Sequence, residues 1–147
     1  MQEVEGGITF YLFEKEYYLT WRNLSSHLGF STKCSIDLDH ALKGFNRHEF
    51  WRVISSQNVV GKFQPQNMNI HHPTLRFMHR WIAMTLFPSQ DTRFVHNIEL
   101  QLLYAIVKKI KVAPMMAMFK HWLDLIKAST YISYMKQTEI SKIPAHM

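Results

Sequence analysis

A chain of 147 residues with 47% apolar, 14% aromatic and 19% charged positions is one domain long and able to bury a core, which excludes a disordered tail. No uninterrupted apolar run of about 18 residues occurs and the start, MQEVEGG, is acidic, so neither a transmembrane helix nor a secretory signal is expected. The formal charge of +6 is uneven: residues 1–20 carry four Glu against one Lys, while the remainder carries sixteen Lys plus Arg against seven acids. A single cysteine, Cys34, excludes an internal disulfide and a cysteine-based zinc site.

In chain order, Ile8 to Phe13 and Tyr17 to Thr20 are aromatic and β-branched segments around Glu14, Lys15 and Glu16, and predict a short hairpin whose turn has no Asn-Gly or Asp-Gly signal. Thr20 then caps a helix from Trp21 to Leu28, closed by Gly29 and Phe30 in a left-handed cap. Ile36, Leu38, Ala41 and Leu42 predict a second short helix. Asp37, Asp39 and His40 fall at its start, where a solvated helix end explains them better than acid-base chemistry does.

Asn46, with Glu49 three residues on, opens a third helix to about Ser55 that buries Phe50, Trp51 and Ile54. Gln57 to Asn69 holds Gly61, Pro65 and a run of carboxamide side chains. It is the longest loop, read first as a surface connection and second as the place for a binding loop.

The stretch Ile70 to Phe87 organises the rest. Pro73 suits a first helical position, with His72 as its cap and Pro88 as its stop. Leu75, Met78, Ile82 and Leu86 form one apolar row, and Phe77 and Trp81 a second beside it, predicting a largely buried helix. Arg76, His79 and Arg80 share the remaining strip. Two readings of that strip stand: contact with phosphate or an acidic partner, or the solvated edge of a core helix, which ordinary surface composition favours. His71, His72 and His79 lack Cys or carboxylate companions at ligand spacing, so no metal is expected.

Asn97 is expected to cap a helix from Ile98 to Lys111, with Leu102, Leu103, Ile106, Val107 and Ile110 apolar and Lys108, Lys109 and Lys111 in its last turn, where the helix dipole already accounts for them. Pro114 opens a further helix with Met115, Met118, Phe119, Trp122, Leu123 and Ile126 inward and Lys120, His121, Asp124 and Lys127 outward. From Ser129 to Met147 the periodicity is too sparse to define an element, and Pro144 limits any last helix.

These segments carry a resemblance. GGITFYLFEKEYYLTWRNLSSHLGF, FNRHEFW, IHHPTLRFMHRWIAMTLF and IELQLLYAIVKKIKV together are similar to the first-reading-frame proteins of plant Athila-type retrotransposons, within the Gypsy class. The matching positions are Ile70, Pro73, Arg76, Arg80, Thr85, Leu86 and Phe87, then Glu99, Leu100, Leu102 and Leu103, within a resemblance that covers about residues 6 to 112. It implies a mobile-element protein, capsid-like or associated with nucleic acid, with no family-defined catalytic residue to carry over. The chain would then be a piece of a longer or degenerate copy.

The enzymatic signatures of such elements do not occur. There is no Tyr-x-Asp-Asp, no Asp-Thr-Gly or Asp-Ser-Gly, no His-His-Cys-Cys set and no P-loop, and Asp91-Thr92-Arg93 departs from the protease pattern at its third position.

The expectation is therefore a mainly α, single helical domain over residues 1–147 with an N-terminal β-hairpin. It is intracellular, cytoplasmic or nuclear, non-enzymatic, and without cofactor. RNA or DNA is expected on Arg76, Arg80, Lys108, Lys109 and Lys111, and the alternative is self-association through exposed aromatic and Met-rich surface.

Overall fold

The computed structural model describes residues 6–141, with side chains through Ala128. The ends, Met1–Glu5 and residues 142–147 with Pro144, lie outside the described residues. A two-stranded antiparallel sheet, β1 (Gly7–Leu12) and β2 (Lys15–Thr20), precedes six helices: α1 (Trp21–His27), α2 (Leu38–Ala41), α3 (Arg47–Ser55), α4 (Pro73–Thr85), α5 (Asn97–Lys108) and α6 (Met115–Ser141). The mainly α expectation with a small N-terminal hairpin holds.

The hairpin is tighter than its sequence suggests. Leu12 pairs with Lys15, so the turn has only two residues, and Phe13 and Glu14 both take positive φ, 52° and 64°. That is the primed turn that fits strand twist, made here without the glycine or asparagine that adopts it at low cost. At the other end Gly7 faces Thr20 so closely that a Cβ on it would overlap the Leu19 carbonyl.

Local signals then set the helix starts. Thr20 accepts the Asn23 N–H at 3.1 Å to cap α1. Gly29, at φ +88°, lets the Phe30 N–H reach back to Ser25 O at 3.0 Å. Asp37 caps α2 through the His40 N–H, and Asn46 accepts from both His48 and Glu49 N–H to cap α3. His72 is a working cap for α4, its Nδ1 accepting from the Thr74 N–H at 3.2 Å.

The core gathers Trp51 and Ile54 of α3, Ile82 of α4, Leu100 and Leu103 of α5, and Met115 and Met118 of α6, with Ile70 and Phe87 closing its ends. Each such side chain, fully buried, contributes roughly 1.5–3 kcal/mol. Two short bridges join distant segments. Ser35 pairs in parallel with Val112, and Gln66 pairs antiparallel with Phe94, which brings the end of the long loop beside the lead-in to α5. Trp122 Nε1 donates to Leu86 O at 3.1 Å, fastening α6 to the end of α4.

Three helices differ from what the sequence predicts, α4 and α6 in the face they bury and α5 in its ends. On α4, Leu75, Met78, Ile82 and Leu86 do face inward, but Phe77 and Trp81 are 66% and 46% exposed, while His79 is fully buried. The reason is period. Positions 75, 78, 79, 82, 83 and 86 trace one helical face, so geometry places His79 at its centre and the two large aromatics outside it. On α5 the cap is His96, not Asn97, because Glu99 reaches back to the His96 N–H at 2.7 Å. The helix ends at Lys108; Lys109 is a left-handed cap at φ 57°, and Lys111 lies beyond it, its carbonyl accepting the Ser35 N–H. On α6 His121 turns inward, 2.7 Å from the Pro88 carbonyl and against the Phe87 ring, whereas Leu123 and Ile126 are exposed. The helix also runs on to Ser141 through a stretch without clear periodicity.

Candidate functional site

The five expected cations reach the surface from two helices. Arg76 is half-buried on α4 and Arg80, one turn further, is exposed. Lys108, Lys109 and Lys111 are all exposed at and beyond the end of α5, with the Lys108 ammonium 6.0 Å from the Tyr104 ring centre. Among the described residues, none of the five has an ion-pair partner. Lys108 lies nine residues past Glu99, about 14 Å along the helix axis at 1.5 Å per residue, so the lysines stand away from the point where α4 is tied to α5.

The acid-base trio does not form a site. Asp37, Asp39 and His40 are exposed, and Asp37 is engaged in capping α2. The three histidines expected to lie near one another in sequence go separate ways: His71 sits 3.5 Å from Ser56 Oγ, His72 caps α4, and His79 enters the core. Among the described residues no group of three His, Cys, Asp or Glu side chains is placed to hold a metal ion.

A buried polar centre stands where the sequence suggested a basic strip. His79 (0% exposed) of α4 and Glu99 (1%) of α5 face each other, Nε2 to Oε1, at 3.3 Å. Asn67, in the short 3-10 turn Asn67–Asn69, completes the row: its Nδ2 lies 3.0 Å from Arg76 O and 2.9 Å from His79 Nδ1. The Arg76 carbonyl can only accept, which fixes the Asn67 amide with nitrogen toward it. The same nitrogen therefore donates to His79 Nδ1, and the imidazole carries its proton on Nε2 and donates to Glu99. Glu99 Oε1 accepts in addition from the His96 N–H and from His96 Nδ1 at 2.9 Å.

Burial by itself pushes the Glu99 carboxyl upward, but the hydrogen bonds from His79 and His96 together outweigh it, and the group sits below the usual carboxylate range. Its second oxygen, Oε2, is buried with no hydrogen-bond partner among the described residues. The centre joins the long loop, α4 and α5. Two signals for it are present in the sequence: the position of His79 on the 75, 78, 82 period, and a Glu three residues after a cap.

At the surface nearby, Asp91 is held by Arg93. The bidentate guanidinium, at 2.7 Å and 2.9 Å, and the Arg93 N–H lower its carboxyl to about 2. Among the described residues, no helix is long and apolar enough to cross a membrane.

Compared with protein families, the chain matches the ATHILA ORF-1 family over residues 1–111. Neither the curated proteins nor the solved structures give a match. The matched span takes in the hairpin, the Pro73 helix and the Glu99 helix that the buried centre ties together, and the chain belongs to the ATHILA ORF-1 family, the first-reading-frame proteins of Athila-type retrotransposons.

Proposed function

We propose that this chain serves its element without catalysis, as a nucleic-acid-binding domain that uses Arg76, Arg80, Lys108, Lys109 and Lys111. One observation carries the reading: these five cations are solvent-accessible and, among the described residues, none is paired with a carboxylate. Uncompensated positive charge of this kind favours a polyanion, and phosphate contacts release counterions when they form. A non-catalytic role is supported by the absence of polymerase, protease, integrase and P-loop signatures in the sequence, and by the burial of the His79–Glu99 pair.

The test is binding of labelled RNA and DNA at low salt, repeated with all five cations reversed to Glu. The reading expects measurable binding by the parent, steep loss with added salt, and none by the variant. Absence of binding by the parent, or unchanged binding by the variant, would sink it.

A second reading, self-association, is favoured by the outer face of α4. Phe77, Trp81 and Met84 stand at i, i+4 and i+7 with 66%, 46% and 68% exposure, and Tyr11, Phe13 and Tyr18 of the hairpin are exposed as well. Light scattering across a wide concentration range decides it. A mass that rises with concentration, and that Phe77→Ser with Trp81→Ser returns to the monomer, supports this reading; a strictly monomeric parent removes it.

A further inference from the structure

Between α3 and the loop that follows it lies an open cleft of about 340 Å³, lined by Trp51, Gln57, Asn58, Val60, Lys62 and Gln64. The loop is pinned by apolar packing: Val59 and Phe63 pack against the core, Pro65 is buried, and Phe63 is flanked by the Arg47 guanidinium at 5.0 Å and the His48 ring at 4.6 Å. Pinning at 59, 63 and 65 leaves the intervening polar residues outward. Among the described residues, no backbone N–H from Asn58 to Gln64 has a hydrogen-bond partner, and neither do the side chains of Gln57, Asn58, Lys62 and Gln64. Hydrogen-bonding capacity is thus concentrated around a recess whose floor, Trp51, is 1% exposed and fixed.

Charge narrows the ligand. From Phe50 to Gln90 the sequence has no Asp or Glu but carries Arg52, Lys62, Arg76 and Arg80. The first acid after that stretch, Asp91, is already engaged by Arg93. The described residues that line the cleft include no carboxylate, whereas an anionic ligand meets Lys62. Carboxamides offer paired donors and an acceptor, the pattern that matches the heteroatom edge of a nucleobase. A recess of this size admits one base with its phosphate. In a duplex the bases are stacked and paired, and only an unpaired strand can turn one in.

We propose that the cleft takes one unpaired nucleotide of a single-stranded nucleic acid, with the base edge on the carboxamides of Gln57, Asn58 and Gln64 and the phosphate on Lys62. The inference rests on the nucleic-acid reading above and adds to it a place where base identity is read. The five cations supply affinity and the cleft supplies preference.

Fluorescence anisotropy with labelled single-stranded RNA homopolymers of roughly 12 nucleotides, within the usual footprint of such sites, tests it directly. The proteins are the parent, a Gln57→Ala/Asn58→Ala/Gln64→Ala variant, Lys62→Ala, and Lys33→Ala as an exposed control. All of these side chains are exposed, so folding is retained and is checked by far-UV circular dichroism. The triple variant should lose at least about fivefold in affinity for the preferred homopolymer and bind the four alike, at an unchanged salt slope. Lys62→Ala should lower that slope by about 0.7, the value for one phosphate contact on a single strand. Lys33→Ala should keep the parent's preference.

A triple variant that binds and discriminates like the parent, while reversal of the five cations abolishes binding, overturns the cleft and leaves the broader reading standing. Preference for a duplex that the triple variant retains overturns it in the same way. No binding of any strand by the parent removes both.

Discussion

The buried centre and the surface cleft are built from the same kinds of group and have opposite fates. Asn67, His79, Glu99 and His96 are bonded to one another so that a single amide orientation fixes a histidine tautomer, and among the fully buried side-chain atoms described Glu99 Oε2 alone lacks a partner. The side chains of Gln57, Asn58, Lys62 and Gln64 have no hydrogen-bond partner among the described residues. Polar groups satisfied inside define a fold, because breaking one leaves its neighbours desolvated and alone. Polar groups left open on a loop held by apolar pins cost the fold little and are available to a ligand.

Cutting into the buried side should give the largest effect. His79→Ala leaves Asn67 and the Glu99 carboxylate each short of a buried hydrogen-bond partner and is expected to cost about 1–3 kcal/mol, as read from urea unfolding. The Gln57→Ala/Asn58→Ala/Gln64→Ala variant, by contrast, should stay within about 0.5 kcal/mol of the parent, as exposed substitutions do. Similar losses at both places would erase the distinction.

Acid should act through the centre as well. Because the folded Glu99 carboxyl lies below its unfolded value, it adds stability above about pH 4.3 that is lost as pH falls through the lower folded value. Glu99→Gln should therefore flatten the acid limb of a stability-against-pH curve, and an unflattened limb would place the acid sensitivity elsewhere.

The hairpin turn offers a gain instead of a loss. Replacing Phe13 and Glu14 with Asn and Gly puts suitable residues at two left-handed positions, and Phe13 is 92% exposed, so no packing is lost. About 1 kcal/mol of stabilisation is expected, from a penalty of roughly 1–2 kcal/mol per residue in that conformation, measured as slower hydrogen exchange in β1 and β2. Smallest of all is a spectroscopic mark: the His79 Nδ1 nitrogen should resonate as unprotonated, and a protonated Nδ1 would contradict the assigned Asn67 orientation.

What could be read in advance was local. Thr20, Gly29, Asn46 and Pro73 act on their own neighbours, and their caps and helix starts stand where the sequence puts them. What could not be read depended on partners across the fold. Phe77 and Trp81 look like core by size, yet the face of α4 that meets α5 passes through His79, and only the arrival of Glu99 makes a histidine welcome there. Lys109 takes a glycine's conformation at the end of α5 with no glycine to announce it. The long loop was visible as a loop, but its cleft exists only because Val59, Phe63 and Pro65 find the core.

The contrast between closed and open polar groups is tested most directly by nuclear magnetic resonance, titrating single-stranded RNA into the labelled protein and following the side-chain amides. Gln57, Asn58 and Gln64 should shift in a saturable way while the Asn67 amide and the His79 ring stay fixed. Cleft amides that do not move, or a buried centre that moves with them, would contradict the account.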